Sequence, residues 1–295
     1  MSIAYYATPK TVAEALGALA ELDGRGMIIA GGTDLVPLIK QNRVDAKALI
    51  DISGVVEIRG LAFEPEALTI GAAATHHQVC SEPRIREIWP ALADACASIG
   101  SPQIRNIATL TGNVVNAQPA ADAAIALVAL GARMEFMAAG ELKTELIEKL
   151  YAGLGRSKID PRKEMVTAIK VPRPGGRHGN AYGRISPRNS FCMPIVNAAA
   201  ALDCEGDRIV SARLAMGPVA ETPFRPQRAE AELQNVELRN TRALEAAAVL
   251  ASQEANPRSS CLRGCADYRK ELSRVLVKRV LEKAAAMAGR ESIQT

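Results

Sequence analysis

Clustered cysteine is missing from this 295-residue chain: its six thiols, Cys80, Cys96, Cys192, Cys204, Cys261 and Cys265, include no Cys-x-x-Cys pair. An iron–sulfur carrier needs four grouped thiolates, so any such centre must belong to another chain. Cys261 and Cys265, four apart, are too few for a cluster, and free thiols in a reducing compartment are expected. Aromatic residues make up only 3%, which removes the stacking platforms that single-stranded nucleic acid requires. A net charge of +4, from 36 basic residues interspersed with 32 acidic ones, forms no basic stripe, so nucleic acid is excluded as a partner. No apolar run approaches the ~20 residues that cross a bilayer. The start, Met-Ser-Ile-Ala-Tyr-Tyr, has neither the basic nor the apolar region of a signal peptide, so a cytoplasmic location without membrane insertion is expected. Histidine is scarce as well. His76 and His77 precede Cys80 without further ligands at metal spacing, and read as a helix start capped by Thr75; no metal is expected. No Ser, His and Asp residues form a nucleophilic triad pattern, so no catalytic residue is assigned. No repeat or low-complexity segment appears.

What the chain does contain is two polar, glycine-bearing loops. The first follows a short apolar run: Met27, Ile28, Ile29 and Ala30 lead into Gly31, Gly32, Thr33 and Asp34. Glycines allow positive φ and let backbone amides approach an anion closely, and Thr33 or Asp34 can cap a helix over 34–41. Alone, this reads as an ordinary strand-to-helix turn. The second loop, Gln103 to Asn113, contains Ala108, Thr109, Leu110, Thr111, Gly112 and Asn113, with Asn116, Gln118 and Asp122 beyond it. It is rich in donors and poor in side-chain bulk, which suits a phosphate-bearing ligand lying against backbone.

Periodicity gives an α+β chain of two or three compact units. A helix over 11–22 carries Thr11 and Glu14 as a capping box, and 27–30 and 48–52 read as buried strands. Residues 58–63 and 67–71 predict a hairpin, 88–99 a helix ended by Gly100, and 120–130 a buried helix. Strands are expected over 133–138 and 165–171. The run 172–179, Pro-Arg-Pro-Gly-Gly-Arg-His-Gly, is the best boundary. Beyond it, 181–185, 195–203 and 208–217 read as an antiparallel meander, followed by helices over 241–253 and 265–287. The last of these is expected to bury one face and leave Lys270, Arg274, Lys278 and Arg279 solvated.

Four places together resemble the FAD-binding medium subunits of the molybdenum hydroxylases, the xanthine dehydrogenase type with carbon monoxide and nicotinate dehydrogenase relatives. They are Ala30 to Asp34, Arg105 to Asn113 with Asp122 nine residues on, Arg184 with Arg188, and Pro257 to Ser260 leading into Arg263-Gly264 and Tyr268-Arg269. The resemblance spans about residues 5–283. It implies a PCMH or vanillyl-alcohol-oxidase type FAD-binding domain over 1–172, in subdomains of about 1–54 and 55–172. A carbon monoxide dehydrogenase flavoprotein-like C-terminal domain over 180–290, a three-stranded antiparallel sheet with a helical bundle, would follow. By the same resemblance, Met27 to Asp34 form the first FAD loop and Ala108 to Asn113 the second. Asp122 is a polar contact, Ile99 and Met165 are apolar neighbours, and Arg184 is a cation near the ring. The family usually has glycine where this chain has Thr111, which puts the backbone approach there in question. The implied partners are a large molybdopterin subunit and a small [2Fe-2S] subunit, with NAD or another acceptor receiving the electrons. Two alternatives stand beside this reading: a scaffold subunit that has lost FAD, and a self-sufficient flavin oxidase.

Overall fold

A computed structural model describes residues 3–188 and 191–290. In the first lobe, β1 (Tyr5–Ala7), α1 (Val12–Glu21), β2 (Gly26–Ile29), α2 (Leu35–Lys40) and β3 (Ala48–Asp51) build a parallel sheet of order β1-β3-β2. The Thr11 hydroxyl accepts the Glu14 amide at 3.1 Å, while the Glu14 carboxylate accepts the Lys10 amide at 2.7 Å. The expected capping box is therefore closed one residue early. Successive residues of β2 and β3 face opposite ways: Met27, Ile29 and Leu49 pack with Ile39 of α2, and Ile50 faces the main core.

The second lobe carries a five-stranded antiparallel sheet. Its chain order is β4 (Leu61–Phe63), β5 (Ala67–Gly71), α3 (His76–Ser81), α4 (Pro83–Ile88), α5 (Pro90–Ala97), α6 (Pro102–Arg105), α7 (Leu110–Val115) and α8 (Asp122–Ala129). Then come β6 (Arg133–Ala138), β7 (Glu141–Leu146), β8 (Tyr151–Gly153), β9 (Arg156–Ser157) and β10 (Glu164–Pro172). The sheet order is β4-β5-β10-β6-β7, with β8 and β9 paired apart. The helix expected over 88–99 is α5, which starts at Pro90 because Trp89 leaves the helical region; α4, just before it, was not expected. The second polar loop proves to be mostly helix, with α6 running into it from Pro102 and α7 starting inside it. Every residue of α8 is buried, as suits a helix apolar all round, and it packs against α5 on one side and the third lobe on the other.

The third lobe is the expected meander, β11 (Arg177–Ile185), β12 (Val196–Glu205) and β13 (Arg208–Gly217), covered by α9 (Gln227–Glu232), α10 (Thr241–Glu254) and α11 (Ala266–Ala288). The boundary expected over 172–179 shrinks to 173–176, since β10 and β11 take the rest. Nor is the basic face of α11 wholly solvated: Lys278 pairs with Glu245 of α10 at 2.6 Å, and Arg274 pairs with the same carboxylate.

The third lobe grips the second through Asn180. Its Oδ1 accepts the Ala91 amide at 2.9 Å and its Nδ2 donates to the Ile88 carbonyl at 2.8 Å, spanning the break between α4 and α5. Asn180→Ala leaves both helix-end groups unpaired. A loss of about 2–3 kcal/mol in unfolding free energy is expected from denaturant melts, and a change under about 0.5 kcal/mol would show that water replaces the amide freely.

Candidate functional site

A cavity of about 1360 Å³ runs between the lobes. Met27, Ile28, Ile29, Ala30, Gly31, Gly32, Thr33 and Asp34 of the first lobe line it, as do Ile99, Ala108, Thr109, Thr111, Gly112, Asn113 and Asp122 of the second. Gly155, Arg156 and Ser157 of the β8–β9 hairpin close one side, and Arg188, Cys192, Leu262 and Arg263 of the third lobe close another.

Backbone geometry brings the two loops together. A Cβ on Gly31 would lie 2.2 Å from the Ile107 carbonyl oxygen, so only glycine lets these main chains meet. Gly32 sits at φ +66°, turning β2 into α2. Asp34 precedes α2 without a side-chain cap bond, so the expected cap is not made. In the second loop, the Thr109 hydroxyl accepts the Gly112 amide at 3.0 Å and caps α7. Thr111 lies inside that helix, so a glycine's freedom is not required there.

Three expected contacts are placed elsewhere. Leu110 is fully buried and points into the core, since its neighbours on the helix face the cavity. Met165 is likewise fully buried: on β10 the cavity face belongs to Glu164 and Val166, and strand alternation turns Met165 away. Arg184 stands one layer back. Its guanidinium pairs with Asp122 at 3.1 Å and donates to the carbonyls of Ser98, at 3.0 Å, and Cys192. With a side chain only 17% exposed, it is no surface charge.

Asp122 is thus the hub where the lobes meet. Its Oδ1 accepts from the Tyr182 hydroxyl and from Asn197 Nδ2 at 3.0 Å, while Oδ2 takes Arg184. Burial raises its carboxyl above the ordinary range, against the opposing pull of Arg184, Tyr182 and Asn197. Among the described residues no three His, Cys, Asp or Glu side chains gather as a metal site, and no helix is long and apolar enough to cross a membrane.

Sequence reasoning missed the β8–β9 hairpin, whose two short strands carry little pattern, and the His76 side chain. His76 is 1% exposed and lines the cavity. Its structural role as a helix start is real: Thr75 and Gln78 form a full capping box. Burial, helped by the Arg105 charge, lowers its pKa to about 4.

A long cavity shared by three lobes, with two main-chain segments meeting beside it and unpaired polar atoms on residues of its wall, has the form of a site for an extended polar cofactor. Residues 1–174 match the FAD binding domain in molybdopterin dehydrogenase, and residues 181–284 match the CO dehydrogenase flavoprotein C-terminal domain. The chain belongs to the family of FAD-binding subunits of the molybdenum hydroxylases, and is an oxidoreductase component. It is 31% identical to the xanthine dehydrogenase FAD-binding subunit of Escherichia coli O157:H7 over 97% of both chains. It is 30% identical to the carbon monoxide dehydrogenase medium chain of Afipia carboxidovorans, covering 96% of this chain and 97% of that one. The fold matches reconstituted CO dehydrogenase from Oligotropha carboxidovorans with a TM-score of 0.89 at 30% identity, over 97% of this chain and 99% of the other.

Two outcomes follow. Gly31→Ala forces the loops apart; a loss of roughly 1–3 kcal/mol in melts of the flavin-free chain is expected, together with lost FAD binding, and wild-type values for both would refute the contact. Because the folded pKa of His76 lies near 4, below its ordinary 6.5, the flavin-free chain should lose stability as pH falls from about 6.5 toward 4. The loss is on the order of 3 kcal/mol. Melts against pH should show that limb flattened in His76→Leu; an identical limb would assign it to other groups.

Proposed function

We propose that the chain carries FAD as the electron-transfer subunit of a molybdenum hydroxylase complex. It takes single electrons from the [2Fe-2S] clusters of a small partner and delivers pairs to NAD or another acceptor. Substrate, a purine such as xanthine, another N-heterocycle or an aldehyde, is oxidised at the molybdopterin of a large partner. The observation that carries the assignment of the site is the glycine-dependent junction of the two loops, flanked by buried side-chain oxygens on Thr111 and Asn113 that have no protein partner. Those groups fit a ligand that brings its own hydrogen-bonding atoms.

Residues Ala30 to Asp34 and Thr109 to Asn113 hold the phosphate-bearing middle of FAD, with Met27, Ile28, Ile29, Ile99 and Ala108 supplying apolar wall and Asp122 orienting Arg184. The domain units are 1–172, in subdomains of about 1–54 and 55–172, and 180–290. When bound, FAD supplies two-electron storage and hydride transfer. The protein's own part is to exclude water, fix orientation and present positive charge. A cytoplasmic location is supported by six free thiols.

The test is to purify the chain with its partners, release the flavin with acid and identify it. Noncovalent FAD that is bleached by NADH, or by a purine through the partner chains, is the expected outcome. A colourless assembly that takes up no FAD on reconstitution would leave a scaffold role. Reduction by a small substrate in the isolated chain would favour a self-sufficient oxidase.

A further inference from the structure

Three residues that line the cavity each carry a buried side-chain atom with no hydrogen-bond partner: His76 Nδ1, Thr111 Oγ1 and Asn113 Oδ1. The backbone brings the segments that carry them side by side. Thr75 and Thr109 form an isolated bridge, and the His76 amide donates to the Ala108 carbonyl at 3.0 Å. Burying such atoms unpaired is costly, and chains avoid it unless something else supplies the partner.

Capping of α3 does not use the imidazole of His76. The start of α3 is already capped, the Thr75 amide donating to Gln78 Oε1 at 2.8 Å and the Gln78 amide to the Thr75 hydroxyl at 3.3 Å. The ring adds a buried, unpaired nitrogen to a residue that lines the cavity.

We propose that His76 is a cofactor-binding residue, its imidazole and the Thr111 hydroxyl together hydrogen-bonding the phosphate–ribityl stretch of FAD. The chemistry of the group selects that stretch. A neutral imidazole donates from one nitrogen and accepts at the other, a hydroxyl does both, and the Asn113 Oδ1 only accepts. Phosphate oxygens accept and ribityl hydroxyls donate or accept, so every one of these atoms finds a complement there. The low pKa keeps the ring neutral at physiological pH, so either tautomer serves.

The inference rests on the FAD reading, and one experiment separates the two. The full chain is stripped of flavin and titrated with FAD, binding being followed by quenching of flavin fluorescence, while the melting temperature of the flavin-free chain is taken at pH 7.5. A wild-type chain that does not bind FAD sinks the underlying reading and this inference with it. If the wild type binds, His76→Leu is expected to weaken binding about tenfold, the equivalent of ~1.4 kcal/mol, with a flavin-free melting temperature unchanged or raised. His76→Asn, whose amide lies near the Nδ1 position, is expected to restore most of the affinity. Equal affinity in His76→Leu overturns the proposal, as does a loss of affinity matched by a fall in the flavin-free melting temperature. Should His76→Leu fail to fold, Thr111→Val gives the same reading: about tenfold weaker binding on an intact fold supports it, and unchanged binding overturns it.

Discussion

Two peptide backbones from different lobes meet without a side chain between them at Gly31 and Ile107, and the cavity takes its shape from that contact. Any Cβ there would overlap a carbonyl, so the approach cannot be rescued by repacking side chains. The surrounding structure delivers the second backbone to this spot. The Leu110 amide donates to the Ala74 carbonyl at 3.1 Å and the His76 amide to Ala108, so residues 108–110 run beside 74–76 like a short strand. That strip is anchored by fully buried Ala74, Val79 and Leu110, which tie the loop to the main core rather than leaving it to solvent. A ligand-binding wall made of backbone is thus held by hydrophobic packing several residues away.

Orientation of the third lobe depends on a different force. Asp122 gathers Tyr182, Arg184 and Asn197, and on the other flank Glu148 pairs with Arg213 at 3.2 Å and Arg225 at 3.0 Å. Arg225 also holds Glu230 at 2.7 Å, whose other oxygen accepts the Leu214 amide of β13 at 2.8 Å. Partly buried pairs of this kind add little net stability, because desolvation offsets attraction, but leaving one partner alone is costly, most of all at Asp122, the most deeply buried carboxylate of the two networks. Their effect is therefore directional: a purely apolar contact between α8 and the sheet could slide, whereas these two networks admit one register. That register brings Arg188, Cys192 and Arg263 to the cavity.

The fold was largely readable from residue patterns. Strands such as Arg133–Ala138 and the β11–β13 meander announce themselves because one face is apolar or the turn is glycine-rich, and α8 because every residue after Asp122 is apolar. What pattern could not show is where side chains point once several elements converge. Met165 turns away from the cavity because β10 alternates, and Leu110 because it opens α7 behind the Thr109 cap. The break at Trp89-Pro90 is visible as a proline, yet pattern starts the helix two residues early and misses the short α4 before it. Thr111 looked like a missing glycine only while its segment was taken for a loop; as the second residue of a helix it needs no special φ. His76 was hidden for the opposite reason, since its local pattern is fully explained by capping and nothing in it reports the cavity beyond.

The same arrangement explains why such a site is expected to be incomplete by itself. Groups that satisfy each other within the protein, like Asp122 and its three donors, fix the lobes whether or not a cofactor is present. Groups that face the cavity unpaired destabilise the empty chain and become satisfied only on binding. Binding free energy is then also folding free energy, about 2.7 kcal/mol when free cofactor stands at a hundred times its dissociation constant. Because all three lobes line the cavity, that stabilisation acts across the lobe boundaries and not within one lobe. The chain accordingly divides its polar groups in two: one set buys a fixed frame, and the other waits for FAD to complete it.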